Sequence, residues 1–155
     1  MKPEKIAGKL ATQELIKGVG GLEAGAGFCR VGKSVLGDAQ NVNCPDRWLP
    51  VDVVADLEPL AREREGWPHV TRWLCQQMGG TFVALPRGGA QREDLLGSVG
   101  RLAKEHGDIA TAICTALADG SVSAEEAAAA RVQVQEAQAV LAALDLQLAT
   151  IMGDR

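Results

Sequence analysis

The apolar positions of the C-terminal part of the chain predict two long helices that pack along one another. One series runs through Leu95, Val99, Leu102, His106, Ile109 and Ile113. A second series runs through Ala127, Ala130, Val134, Ala137, Leu141, Leu144, Leu148 and Ile151. Both series advance in alternating steps of three and four residues, which places their members on one face of a helix.

The residues between the two series predict a short turn. Asp119–Gly120 is typical of a helix end, and Ser123 with Glu126 forms the pattern of a capping box at the start of the second helix. The sequence therefore predicts an antiparallel helical hairpin. A second apolar track remains beside the first series, at Leu96, Ala103, Ala110 and Leu117. We expect this hairpin to self-associate through residues 92–152, as a homodimer or a homotetramer.

Shorter helical periods fill the N-terminal part. A helix is predicted over Ala11–Val19, with Leu10, Leu15 and Val19 along one face. Another is predicted over Val51–Ala61, with Val53, Val54, Leu57 and Leu60 inward. A third is predicted from Val70 to Met78, with Trp73 and Leu74 on the same face as its two ends. Residues 81–90 predict an extended connector that could include one short strand.

Residues 22–41 predict two short helices separated by a tight turn. Leu22, Ala26 and Cys29 share one face of the first helix, and the rhythm breaks at Val31 beside Gly32. The second helix opens at Lys33–Ser34 and directs Leu36 and Ala39 inward. Two helices that cross steeply need a small residue where they touch, and the pattern predicts Ala26 at that position. Val31 at the turn and Leu36 in the second helix are predicted to fill the space between the helices with apolar side chains.

This arrangement is typical of a helix-turn-helix, whose second helix lies in the major groove of DNA. The candidate DNA-binding residues are Arg30, Lys33, Ser34, Asp38, Gln40, Asn41 and Arg47. We expect Lys33, Ser34 and Gln40 to contact bases, and Arg30, Asn41 and Arg47 to lie toward phosphates. Asp38 places a negative charge on the same helix.

The chain is therefore predicted to be all-α, with three parts. Residues 1–65 form a compact helix-turn-helix domain, residues 66–91 a helix plus a Gly/Pro-containing connector, and residues 92–155 the self-associating hairpin. Aromatic residues make up only 3% of the chain, which suits helices packed through small side chains. At helical spacing beside Leu74, Trp67 and Trp73 are interpreted as packing residues rather than stacking platforms for bases.

The distribution of charge is uneven. The net charge is −4, but residues 1–50 hold seven Lys/Arg against five acids, and the remaining residues carry a net charge of −6. Binding to phosphates requires only a local basic face, so the basic excess in the predicted DNA-binding part is compatible with a nucleic-acid partner.

Other classes of function have little support in the residues. No catalytic constellation is recognisable, and the glycine-rich GVGGLEAGAG (18–27) follows no predicted strand, so neither an enzyme nor a cofactor is expected. The four cysteines are interpreted as buried free thiols, and no metal site is expected. Without an apolar leader or a stretch of about 18 apolar residues, we expect a cytoplasmic protein that does not enter a membrane. The alternative to DNA binding is a non-enzymatic protein-interaction adaptor with a degenerate helix-turn-helix.

Four segments together resemble a known family. They are GGLEAGAGFCRVGKSVLGDAQN (20–41), LPVDVVADLE (49–58), MGGTFVALP (78–86) and KEHGDIATAICTALADGSVSAEEA (104–127). The chain resembles phage regulatory proteins of the CII type, and its N-terminal unit is similar to the λ-repressor-like helix-turn-helix. This resemblance implies a sequence-specific transcriptional regulator of phage or prophage type, with double-stranded DNA as its partner.

Overall fold

The computed structural model describes residues 2–85 and 95–153, and every regular element in those residues is helical. This confirms the predicted all-α class. The chain divides into two compact units, residues 1–82 and 83–155. The first unit contains α1 (Pro3–Gly18), α2 (Leu22–Phe28), α3 (Lys33–Gln40), α4 (Val51–Leu57), a 3-10 helix (Glu58–Ala61) and α5 (Val70–Gln77). The second unit contains α6 (Leu95–Ala116) and α7 (Ala124–Met152).

The core of the first unit gathers apolar side chains from α1, α3 and α4. Leu15, Leu36, Val53 and Leu57 are fully buried, and Leu22, Ala26, Cys29 and Val31 pack against this cluster. α5 packs against α1 in the same unit. The predicted inward faces of these helices are therefore largely confirmed.

α1 begins eight residues before the predicted start. Pro3 occupies its first turn, where the missing backbone N–H of proline leaves no hydrogen bond unmade. Leu10 was predicted to face the core, but it is exposed. Five residues separate it from Leu15, so it lies ~140° around the helix from that core residue.

The later helices of this unit are shorter than predicted. α4 ends at Leu57, and the chain continues as a 3-10 helix because Pro59 has no N–H to extend the α-helical ladder. Leu60, predicted to be inward, is exposed as a result. Met78 is also exposed, because α5 ends before it and Gly79 turns the chain with a φ of +73°. Residues 81–85 of the predicted connector form no strand, and the rest of it lies outside the described residues.

The second unit is an antiparallel helix pair, as predicted. Ser98 near the start of α6 donates a 2.9 Å hydrogen bond to Gln147 near the end of α7, and both side chains are buried. The capping box is confirmed, since Ser123 Oγ accepts from the Glu126 backbone at 3.2 Å and the Ser123 N–H donates to the Glu126 carboxylate at 2.9 Å. Gly120 turns the chain between the helices with a φ of +83°.

The contact seam of this pair differs from the predicted series by a small rotation of each helix. The buried or partly buried side chains of α6 are Leu95, Ser98, Leu102, Glu105, Asp108, Ile109, Ala112 and Ala116. Val99, His106, Ile113, Ala127, Leu141, Leu148 and Ile151 were predicted to lie in the seam, and all of them are exposed. Small residues such as Ala116 and Ala137, both buried, allow the helices to approach along this line. Several large apolar side chains, among them Val99, Ile113 and Leu141, consequently remain exposed.

Candidate nucleic-acid interface

α2 and α3 form the predicted pair of short helices. Residues 29–32 connect them, and Leu36 and Ala39 of α3 are both fully buried, as the pattern predicted. The closest approach falls on Gly25, next to the predicted Ala26. A Cβ atom at Gly25 would lie 3.2 Å from Leu36 Cδ1 and 3.3 Å from Val19 Cγ2. The inner face of α3 is therefore tightly fixed against α2 and α1.

The outer face of α3 carries three of the candidate DNA-binding residues. Lys33, Ser34 and Asp38 are exposed, and Lys33 is the first residue of the helix. The Lys33 ammonium donates to the Glu23 carboxylate of α2 at 2.9 Å. The amino-terminal half of α3 thus presents a lysine and a serine to solvent, with the lysine already paired to an acid.

Arg30, in the turn before α3, is paired as well. Its guanidinium binds both carboxylate oxygens of Asp52 in α4, with a distance of 3.0 Å from Nη2 to Oδ1. These hydrogen bonds raise the pKa of Arg30 and lower the pKa of Asp52 below its usual range. The pair connects the turn to α4.

The remaining candidates lie at the carboxyl end of α3. Gln40 is half-buried at the last position of the helix, and Asn41 follows it with its side-chain oxygen accepting from the Asn43 N–H at 2.9 Å. Arg47 is exposed in the next loop. The structure therefore divides the seven candidates between the two ends of α3.

Lys9, which is not among the seven predicted DNA-binding residues, fixes the carboxyl end of α3. Its side chain is fully buried, and its ammonium donates to the Ala39 carbonyl at 2.9 Å and to the Arg47 carbonyl. It also lies 4.5 Å from the centroid of the Trp48 ring. One turn along α1, Gln13 Nε2 donates to the Gln40 carbonyl at 3.1 Å. Burial lowers the pKa of Lys9, although nearby acids oppose the shift.

The signal for Lys9 was present in the sequence. Lys9 and Ile16 are seven residues apart, so the lysine occupies a position on the buried face of α1 where an apolar residue is the norm. A charge at such a position requires partners. The partners come from residues 39, 47 and 48, and that long-range proximity is not visible in the pattern.

The indole rings of Trp48 and Trp73 stack on one another and pack against α1. The rings of Trp48 and Trp73 have centroids 5.2 Å apart and an interplanar angle of 4°. Gly8 of α1 lies directly against them, since a Cβ atom there would be 2.6 Å from Trp73 Cζ2 and 2.9 Å from Trp48 Cζ3. Trp73 Nε1 donates to the Glu4 carbonyl at 3.0 Å. These contacts agree with the interpretation of Trp73 as a packing residue.

Glu58 holds the amino end of α5. Its buried carboxylate accepts from the backbone N–H of His69 at 2.6 Å and from the backbone N–H and hydroxyl of Thr71, both at 2.8 Å. A carboxylate at a helix start compensates the unpaired N–H groups there. Burial lowers the pKa of the neighbouring His69. Trp67 Nε1 donates to the Glu58 carbonyl at 2.8 Å and so completes the connection.

The four cysteines are free, but none is buried. Cys29, Cys44 and Cys75 are partly exposed and Cys114 is exposed, so the prediction of burial was wrong. Within residues 2–85 and 95–153, no group of three or more histidine, cysteine or acidic side chains could hold a metal ion. In the same ranges, no helix combines the length and the apolar character that crossing a membrane demands.

Comparison with protein families gives one result. The model of the family described as phage regulatory protein CII (CP76) matches residues 66–151, which is more than half of the chain. The matched residues include α5, α6 and almost all of α7, and they do not include α2 or α3. Searches of curated proteins and of solved structures gave no match.

Proposed function

We propose that this chain, which belongs to the phage regulatory protein CII (CP76) family, is a sequence-specific DNA-binding transcriptional regulator of phage or prophage type. One observation carries the proposal. α3 has a buried inner face, a carboxyl end held by Lys9 and Gln13, and an exposed amino-terminal half with Lys33 and Ser34. A recognition helix uses the residues of its amino-terminal half to contact bases.

The roles of the candidate residues follow from their positions on α3. Ser34 is exposed in the first turn and is suited to a base edge or a phosphate, while Lys33 beside it can reach a guanine or a phosphate. Gln40 and Asn41 lie at the other end of α3, and Arg47 is exposed in the loop that follows. We assign Arg47, Arg30 and Asn41 to phosphates, because they flank the helix.

One recognition helix with few basic neighbours offers little affinity, so we also propose self-association through the second unit. Leu96, Val99 and Ile113 of α6 are exposed, as is Leu117 directly after that helix, and Leu96 is 85% exposed. Together with Ala103, His106 and Ala110 they follow the alternating three- and four-residue spacing of a packing seam. A second copy covering this stripe would pair two DNA-binding units and raise the effective concentration of the second.

Selection of bound fragments from phage and host DNA by the purified chain tests the proposal. We expect enrichment of a two-fold or direct-repeat site with half-sites separated by a multiple of ~10–10.5 base pairs. Affinity for that site should fall steeply between low and physiological salt, as phosphate contacts require. The double variant Lys33→Ala, Ser34→Ala should lose the sequence preference, whereas Lys104→Ala in α6 serves as the control. If folded protein enriches no motif at low salt, DNA recognition is the wrong function.

One observation favours the alternative, a protein-interaction adaptor with a degenerate helix-turn-helix. Both cations next to the start of α3 are already paired with carboxylates, Lys33 with Glu23 and Arg30 with Asp52. Such a neutralised surface would suit a protein partner. An adaptor should show no binding to duplex DNA at low salt, and this result separates the two functions.

A further inference from the structure

We propose that Glu23 and Asp52 compete with DNA from within the chain. Glu23 binds the Lys33 side chain and Asp52 binds the Arg30 side chain until DNA phosphates displace the two carboxylates. This inference rests on the proposed DNA-binding function and assigns a regulating role to two acidic residues of the same surface. The two carboxylates come from different helices, α2 and α4, and meet the cations on either side of the start of α3.

The geometry of both pairs fits replacement by phosphate. Asp52 binds two nitrogens of the Arg30 guanidinium, which is the forked arrangement that arginine also uses for phosphate oxygens. Glu23 binds the Lys33 ammonium through one oxygen at 2.9 Å, as a phosphate oxygen would. Each carboxylate therefore binds its cation at the position where we expect a DNA phosphate to bind.

Both pairs are also open enough to exchange. The side chains of Lys33 and Glu23 are 66% and 83% exposed, and those of Arg30 and Asp52 are 64% and 49% exposed. Ion pairs at such exposure are weak, so a phosphate backbone with its high charge density can displace the carboxylates. Exchange costs binding free energy, because the displaced carboxylate then lies unpaired near the phosphates.

Because the two carboxylates must be displaced, affinity is lowered for every duplex, whatever its sequence. Favourable contacts with bases must compensate this loss of binding free energy. Without the carboxylates, each freed cation would neutralise a phosphate directly and release a counterion from DNA. The logarithm of the binding constant should then fall more steeply with the logarithm of the salt concentration, by up to ~0.9 per cation. Affinity for DNA of random sequence should rise about two- to fivefold per carboxylate removed.

The test uses the full chain and a labelled duplex of random sequence, titrated over a series of salt concentrations. The variants are Glu23→Gln, Asp52→Asn and the double variant, since these changes remove charge with little change of size. Glu125→Gln is the matched control. Glu125 is the second residue of α7, as Glu23 and Asp52 are the second residues of α2 and α4, and it is exposed in the second unit.

We expect Glu23→Gln and Asp52→Asn to bind more tightly than the wild type, with steeper salt dependence, and Glu125→Gln to bind like the wild type. A double-mutant cycle with Lys33→Gln tests whether Glu23 acts through Lys33. In the Lys33→Gln background, Glu23→Gln should no longer raise the affinity for DNA. If the wild type binds and the folded variants bind identically, the competitor role is wrong and the proposed function stands. If neither the wild type nor any variant binds at low salt, the proposed function itself fails and the inference fails with it.

Discussion

The Lys9 ammonium in α1 donates to the Ala39 carbonyl at the end of α3 over 2.9 Å. The last carbonyls of a helix have no partner within the helix and carry partial negative charge, so a cation is well placed there. The Lys9 side chain is fully buried, and this one side chain connects the first helix both to the last turn of α3 and to the following loop. The buried face and the carboxyl end of α3 are therefore held in place, and its amino-terminal half remains exposed at the surface.

Replacing Lys9 by Met should destabilise the first unit. Methionine keeps much of the apolar stem, but it leaves the Ala39 and Arg47 carbonyls without their donor and removes the cation from the Trp48 ring. We expect a loss of about 2–4 kcal/mol in the free energy of unfolding, measured by urea titration. Lys5→Met, which removes an exposed lysine one turn earlier, should change stability by less than ~0.5 kcal/mol. Equal stabilities of the two variants would contradict a structural role for Lys9.

Gly8→Ala should also destabilise this unit, although alanine is the better helix former. In an open helix the exchange stabilises by up to ~1 kcal/mol. At Gly8 the new methyl group would lie 2.6 Å from Trp73, so either the helix or the indole stack must move. Gly27→Ala in α2 is the matched control, since no atom lies within 4 Å of a Cβ atom there. Thermal unfolding should shift downward for Gly8→Ala and upward or not at all for Gly27→Ala.

The sequence was sufficient to locate the helices, but it did not fix all of their ends or show which side chains they pack against. Helical periodicity located α2, α3 and the α6–α7 pair, because burial of one face determines each of them. It did not locate the seam between α6 and α7, where several registers satisfy the same spacing and small residues such as Ala116 decide which one packs. Nor could it identify the hydrogen-bond partners of Lys9 and Glu58, because those partners are distant in the sequence.

Glu14 should make the first unit sensitive to acid. Hydrogen bonds from Lys17, at 2.7 Å, and from Arg64 lower the pKa of Glu14 to about 2. The folded state thus favours the charged form, and its contribution to stability is present above the ordinary pKa of ~4.3 and disappears as the pH falls toward 2. Glu14→Gln should therefore be less stable than the wild type at pH 7, and the difference should vanish near pH 2.

A series of denaturation curves between pH 7 and 2 measures this effect. Glu65→Gln, which removes an exposed carboxylate from the nearby loop, is the control. A difference between Glu14→Gln and the wild type that stays constant over this range would exclude the ion pairs as its cause.

Charged residues placed on the exposed apolar stripe of α6 should prevent self-association. The double variant Leu96→Asp, Ile113→Asp should sediment as a monomer at concentrations where the wild type is a dimer or tetramer, because charges on the stripe would be buried on association. Thr111→Asp, Thr115→Asp is the matched control, since both threonines are exposed on α6 outside the stripe. A monomeric wild type at tens of micromolar would contradict self-association through this unit.

The location of all three tryptophans, including the stacked pair Trp48 and Trp73, has a practical consequence for spectroscopy. All three tryptophans and both phenylalanines lie in residues 1–82, and the chain contains no tyrosine, so residues 83–155 contain no tryptophan, tyrosine or phenylalanine. Intrinsic fluorescence therefore reports on the first unit alone. Far-ultraviolet circular dichroism draws much of its signal from the two long helices of the second unit. The two signals, followed in one unfolding experiment without any label, can separate the transitions of the two units.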